Sequence, residues 1–246
     1  TAEDTSAAAR ALLLDMATLL GDSAQFQVDM RVGYDSVQAD GQKIEFGEKR
    51  RLSVERPALV LSEVTDSGGD GEVILFDGKW ITVSDPQANV YARVPQPGDI
   101  DASVKYFLND LGMRLPLAIM LMRTFPQELE KRMHDIALVE ETDILGEPTT
   151  HIAGRTRDVD FQVWITDDRQ PLPLRIVLTY RTTPGEPQFW ADFSNWKLNP
   201  SFLRNAFEFK PAPGAQEIPL VAQFRLHNDA ETNEATSTPS PQGEKP

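Results

Sequence analysis

The sequence predicts an α+β protein: a strongly curved antiparallel sheet, with an N-terminal helix and a central helical insert (about residues 99–133) covering its concave face. Three observations predict it. From residue 24 onward, short runs of alternating apolar and polar residues are joined by tight-turn residues, the mark of antiparallel strands rather than of a parallel α/β sheet. A helical apolar stripe opens the chain. The alternation breaks once, at "DASVKYFLNDLGMRLPLAIMLMRTFPQELEKRM", where helical spacing returns with an unusually apolar run.

Residues 5 to 20 read as the first helix. Thr5 or Ser6 suits its N-cap, Leu12, Leu13, Met16, Leu19 and Leu20 form its stripe, and Gly21 stands at its end. In "AQFQVDMRV" Phe26, Val28, Met30 and Val32 alternate with polar residues, as in a half-buried strand. Ile44, Phe46, Leu52 and Val54 continue the pattern up to Pro57. "GEVILFDGKWITVSD" is a hairpin about Asp77-Gly78, a pair suited to a two-residue primed turn. "DPQAN" turns the chain again into "VYARV", completing a meander over residues 24 to 94.

After the insert a second meander follows: "IALVEETDILG", "EPTTHIAG", "VDFQVWITD", "LPLRIVLTYRT" and "PQFWADFSNWKL". Strict alternation sets Trp190 and Trp196 on one face of the last strand and Phe189 and Phe193 on the other. "FEFKPAPGAQEIPL" reads as a short final strand with a Pro/Gly exit. No repeat or linker divides the chain. The expectation is one domain over residues 1–226, then a disordered acidic and polar tail at 227–246.

Within the insert, Asp99 or Asp101 suits the cap of a helix striped by Val104, Phe107, Leu108 and Leu111. Gly112 loosens the chain, and Pro116 suits the first turn of a second helix. From Leu115 to Met122 only Pro116 is not a large or small apolar side chain, so that helix is apolar all round and needs burial on most sides. Met113, Met120 and Met122 are half of the six methionines; thioethers recur where varied apolar partners are accepted. Periodicity alone favours helices that plug a solid core. The other reading is a lid over an apolar trough.

Composition excludes several functions. With 24 basic and 38 acidic residues the formal charge is −14, so no nucleic-acid partner is expected. The absence of cysteine removes disulfides, thiol catalysis and thiolate metal sites. No window reaches the ~18 apolar residues of a spanning helix, so no stable membrane insertion is expected. The start at Thr1 reads as a mature chain whose signal peptide has been removed, with no N-terminal Cys for a lipid anchor.

No phosphate loop, nucleophile elbow or paired-histidine helix occurs, so the chain reads as a non-enzyme without cofactor or metal. His151 reads as a solvated strand residue rather than a partner of Asp158 and Asp160. "DSGGDGEV" only faintly resembles a calcium loop, because Gly68 stands where a ligand belongs. "EKRR" at 48 to 51 is a small basic cluster, read as a solvated strand face with some prospect of meeting an acidic or lipid head group.

The stretches "DGQKIEFGEKRRLSVERP", "FDGKWITVSDPQANVYARVP", "DVDFQVWITDDRQPLPLRIVLTYRTTPGEPQ" and "FEFKPAPGA" resemble a family of predicted periplasmic proteins of unknown function, related in fold to the LolA/LolB-like outer-membrane lipoprotein carriers and receptors. The similarity runs from the first helix to about Leu220. It implies an unclosed half β-barrel of about eleven strands with helices on the concave side. In the carriers that space holds lipoprotein acyl chains; relatives with this fold carry lipids or sense envelope stress. The resemblance raises the weight of the trough reading and transfers no individual residue.

Two functions follow as expectations. One is a monomeric, exported periplasmic carrier or chaperone for a lipid, lipoprotein or other amphiphile. Its expected cavity residues are Val104, Phe107, Leu108, Leu111, Met113, Leu117, Met120 and Leu121 of the lid, with Trp80 and Trp164 of the sheet. The other is a protein-interaction or envelope-stress sensing module with a filled core.

Overall fold

The computed structural model describes residues 2–66, 71–110 and 115–219. The first helix, α1, spans Ala2–Asp22. Six strands follow: β1 (Gln25–Val37), β2 (Lys43–Glu55), β3 (Leu59–Asp66), β4 (Gly71–Phe76), β5 (Trp80–Asp85) and β6 (Val90–Pro95). The insert holds α2 (Ile100–Lys105), a π-helical turn (Tyr106–Asp110), a 3-10 turn (Ala118–Leu121) and α3 (Phe125–Arg132). Then come β7 (Asp135–Ile144), β8 (Glu147–Arg155), β9 (Val159–Thr166), β10 (Pro173–Tyr180), β11 (Gln188–Leu198) and β12 (Gln216–Glu217).

All twelve strands form one unclosed sheet in the order β12-β6-β5-β4-β3-β2-β1-β11-β10-β9-β8-β7. Every neighbouring pair is antiparallel except β12 with β6. The two meanders of the sequence are therefore two halves of one sheet, joined where β11 returns beside β1. The twelfth strand is the two-residue β12, too short to leave a pattern in the sequence.

Alternation in β1 is followed by the structure: Phe26, Val28, Met30 and Val32 are all buried. Their direct partners continue the same inward face, Val54 and Leu52 on β2, and Phe193, Ala191 and Leu198 on β11. Covering each such side chain is worth about 1.5–3 kcal/mol, so this central row anchors the fold. Helix α1 lays Ala9, Leu13, Met16, Ala17 and Leu20 onto the same core.

Several local expectations change. Helix α1 starts before Thr5, so neither Thr5 nor Ser6 is its cap; Ser6 instead donates to the Ile136 carbonyl of β7. Gly21 lies inside the helix, and a Cβ there would meet the Arg123 carbonyl at 2.7 Å. The expected Asp77-Gly78 hairpin forms with its turn one residue further on: Phe76 pairs with Ile81 and the Asp77 amide donates to the Trp80 carbonyl, so Gly78 (φ 82°) and Lys79 are central, and Asp77 Oδ1 accepts from the amides of Lys79 and Trp80. Residues 207–210 form no strand. Phe207 is buried, and Phe209 packs on Tyr91 of β6 with ring centroids 5.0 Å apart, so this segment covers the outer face of the sheet. The expected tail at 227–246 lies outside the described residues.

The alternation also fails at the end of β11. Asn195 takes φ 55°, and the register against β1 shifts there. Trp196 therefore joins Phe193 on the inward side, stacked at 5.5 Å, and packs on Phe26 at 5.9 Å. Trp190 remains outward, over Gly33, with its indole N–H on Glu45.

Close ring-over-glycine contacts make two positions intolerant. At Gly154 a Cβ would stand 2.1 Å from the Phe161 ring. Gly154→Val should therefore lower stability by about 2–3 kcal/mol in urea unfolding. Adding Phe161→Leu should recover part of the loss; full additivity of the two changes would show that the ring contact is not the cause.

Candidate functional site

The inward face carries the core in both halves of the sheet. Over β8–β11, Ile152, Val163, Ile165, Ile176, Ala191 and Phe193 are buried, and Leu178 and Phe189 are half-buried. Over β2–β5, Val54, Val64, Phe76 and Val83 are buried, and Leu52, Val60, Ile74 and Ile81 face the same way and are half-buried. Farther along β2, Phe46 and Ile44 are 46% and 40% exposed. Phe46 stacks on Tyr34 at 6.1 Å. On its β2–β5 side the inward face thus carries a strip of half-buried apolar side chains that ends in exposed Ile44 and Phe46.

The insert packs on the same core. Asp99 caps α2 by accepting from the Ala102 amide at 2.7 Å, as one of the two expected caps. Asp101 does something else. It accepts from the amides of Arg123 (2.7 Å) and Thr124 (3.0 Å) and from Thr124 Oγ1 (2.6 Å), tying α2 to the start of α3. Burial pushes the Asp101 carboxyl up, but the bonds from Thr124 and Arg123, with Lys105 nearby, outweigh it and hold the group below the ordinary carboxylate range.

The expected second helix from Leu115 to Met122 is a correction. Only Ala118–Leu121 is helical, as one 3-10 turn; Leu117 takes φ 64°, and Met122 is extended. An α-helix here would turn apolar side chains in every direction, including into water. The flattened strap instead buries Ala118, Met120 and Met122 and leaves Leu117, Ile119 and Leu121 half-covered. A left-handed non-glycine residue costs about 1 kcal/mol or more, which the burial of its neighbours offsets.

Arg56, at the end of β2, fastens the strap. It is 7% exposed. Its Nη1 donates to the Ser23 carbonyl, and Nη2 lies 3.5 Å and 3.4 Å from the carbonyls of Met120 and Met122. Its guanidinium also sits 5.3 Å over the Phe26 ring. Burial pulls its pKa down to about 10, opposed by Asp101 and Asp22, so it is charged at neutral pH. One side chain thus joins the end of α1, the sheet and the strap. The sequence reading missed it: only its place before a strand-ending proline set it apart.

The expected site residues separate into three groups. Val104 and Met120 are buried beneath the insert, and Phe107, Leu108, Leu117 and Leu121 are half-buried on it. Leu111 and Met113 lie outside the described residues. Trp80 and Trp164 are on the other face. Trp80 pairs with Pro95 and lies under Arg93 at 4.7 Å. Trp164 stacks on His151 at 4.0 Å, with an interplanar angle of 10°. The register decides this: Ile81 and Val163 point inward, so their neighbours Trp80 and Trp164 point outward.

The "EKRR" cluster also divides. Glu48 and Arg50 face inward opposite Val32 and Met30, and Arg50 donates to Glu48. Arg51 faces outward and binds Asp29 at 2.7 Å. His151 is buried rather than solvated, with Nε2 3.1 Å from Gln162 Oε1. Asp160 pairs instead with Arg155 and Arg181. The calcium-like loop falls largely on residues 67–70, outside the described residues; among the described residues no group of three or more acidic or histidine side chains is placed to hold a metal. No helix among them is long and apolar enough to cross a membrane.

The structure thus defines a class of fold, an unclosed sheet whose apolar inward face is covered by an N-terminal helix and a helical insert. The chain belongs to the family described as "Predicted periplasmic protein (DUF2092)", whose model matches residues 9–221. No curated protein matches the sequence. Among solved structures, LprF from Mycobacterium bovis is 12% identical, with 82% of this chain and 98% of that chain covered and a TM-score of 0.51. An uncharacterized conserved protein from Thermus thermophilus is 13% identical, with 85% and 98% covered and a TM-score of 0.50. A LolA superfamily protein from Nitrosomonas europaea is 15% identical, with 82% and 97% covered and a TM-score of 0.41. At these identities the likeness is one of fold.

The Asp101 clasp gives a pH dependence. Its folded pKa is depressed, so its contribution is full above the ordinary value of 3.8 and is lost as pH falls through the lower folded value. Asp101→Asn should cost about 1 kcal/mol at neutral pH, allowing for partial solvent access. The gap to wild type in urea midpoint should close in acid below that window. An undiminished gap there would mean that the carboxylate charge is not what holds the strap.

Proposed function

We propose that this protein is a periplasmic, non-enzymatic carrier or chaperone for a lipid, lipoprotein or other amphiphile. The observation that carries the proposal is the strip of half-buried apolar side chains on the inward face of β2–β5, Leu52, Val60, Ile74 and Ile81, with Phe46 and Ile44 open at one end. An apolar chain entering there covers Leu52, Val60, Ile74 and Ile81. Each buried methylene is worth about 0.8 kcal/mol, enough to hold a chain while release remains feasible.

The cover suits reversible opening. The strap is held down by hydrogen bonds from Arg56 and Asp101 as well as by apolar contact, and such bonds are exchanged for water at small net cost. Phe107, Leu108, Leu117 and Leu121 form the lid side of the site, with Val104 and Met120 beneath it. Leu111 and Met113 stay with this group as expected lid residues. The working unit is a monomer built from one domain over residues 1–226, with a polar tail, and nucleic acid is not a partner.

A second reading is an envelope protein-interaction module. It is favoured by β7, an edge strand of ten residues with Val139 49% exposed, which suits pairing with an extended segment.

Native mass spectrometry of the protein from a bacterial periplasm, with organic extraction of what it holds, tests the carrier reading. A stoichiometric amphiphile is expected, or uptake of one equivalent of added lysophospholipid or lipopeptide. Leu121→Asp should abolish uptake and leave the sheet's circular dichroism unchanged, because Leu121 is half-exposed whereas Met120 is part of the core. An apo mass that takes up neither ligand would sink the carrier reading and favour a protein partner at β7.

A further inference from the structure

The wall of the trough is not uniformly apolar. Direct cross-strand pairs place Val28, Leu52, Ser62, Ile74, Val83 and Ala92 in one row on the inward face. All are apolar but Ser62. It is 5% exposed, and its hydroxyl makes no hydrogen bond. A buried hydroxyl without a partner is destabilising, and an alanine would occupy the place without that cost. The hydroxyl stands between Leu52 and Ile74, both half-buried.

The next row toward the mouth holds Met30, Arg50, Val64 and Glu72. Arg50 therefore stands diagonally from Ser62 on the same face. It gives Nε and Nη2 to Glu48 Oε1, and Nη1 is not part of that contact. Glu48 is the more deeply covered of the two, its side chain 9% exposed against 31% for Arg50. Together they add donors to the wall with no net charge of their own, and Glu72 adds a second carboxylate to this face. An anion placed there would face the Glu48 carboxylate, whereas a neutral acceptor would not.

We propose that Ser62 and Arg50 form the polar subsite of the trough and receive the carbonyl oxygen of an ester- or amide-linked acyl chain. Ser62 Oγ–H donates to that oxygen, and Arg50 Nη1 lies on the same side. The chain on one side of the carbonyl covers the apolar row, and the remainder of the molecule leaves past Phe46 and Ile44. The inference rests on the amphiphile reading above and narrows its ligand class to neutral acyl esters and amides.

The test uses the full wild-type chain and three ligands of equal chain length: a monoacylglycerol, its ether-linked alkylglycerol and the free fatty acid. Affinities are read by displacement of an environment-sensitive dye. One neutral hydrogen bond predicts that the ester binds about fivefold tighter than the ether. Ser62→Ala should bring the ester down to the ether and leave the ether unchanged. Its urea midpoint should equal or exceed wild type, since the lost hydroxyl had no partner. Equal binding of ester and ether by wild type, or a preference that survives Ser62→Ala, overturns the subsite and leaves the carrier reading standing. A preference for the fatty acid over the ester overturns the neutral-acceptor assignment. Binding of none of the three to wild type removes the subsite together with the carrier reading.

Discussion

The rest of this molecule depends on one constraint: an unclosed sheet has an apolar face that no second sheet covers. A closed barrel would fill its own interior, and a sandwich would supply an opposing sheet. Here the central row Phe26, Val28, Met30 and Val32, with its partners on β2 and β11, must be covered by helix. Helix α1 and the insert do this. Core residues lie in both halves of the sheet, and the strip of half-buried apolar side chains on β2–β5 runs out to exposed Phe46 and Ile44.

The means of attachment differ. Helix α1 is held by apolar side chains, which gain most when they never move. The strap adds polar fastenings: Arg56 to the carbonyls of Met120 and Met122, and Asp101 to the amides of Arg123 and Thr124. Water replaces hydrogen bonds of this kind with little net loss, so they fix a geometry without committing the segment to it. The charge on Arg56 is itself buried, and the carbonyls it meets compensate for lost hydration. Displacing the strap would leave those groups to water, which is a tolerable end state for polar groups and not for a bare apolar core.

The outer face is managed differently. Leu75 and Thr82 are buried there, and residues 199–215 run past them before β12 pairs with the β6 edge. Phe207 and Phe209 supply the cover, and Arg93 lies over both Trp80 and Phe209. Across the other half a ladder of rings and guanidinium, from His151 through Trp164 and Arg175 to Trp190, occupies the outer surface. Trp80, Trp164 and Trp190 serve this face, and only Trp196 turns inward. An open cleft of about 810 Å³ between Phe202–Phe209 and the sheet belongs to this side too.

Much of the fold was legible in the sequence because strands and turns are local. Two-residue alternation located nearly every strand, Asp-Gly and Asp-Pro marked their turns, and the break in period marked the insert. What the sequence determined by itself was therefore a curved antiparallel sheet needing a helical cover, together with the acidic, cysteine-free composition of that cover and sheet. The side on which each aromatic falls was not determined, because it follows register: a single bulge at Asn195 moved Trp196 inward, and the pairing of Ile81 and Val163 sent Trp80 and Trp164 outward. The shape of the strap was not determined either, since eight apolar residues look alike as a buried helix or as a flattened turn. Only the tertiary structure decided that Arg56 meets backbone carbonyls far along the chain, and that Ser62 stands alone in an apolar row, because both facts depend on which strands and which loop end up facing one another.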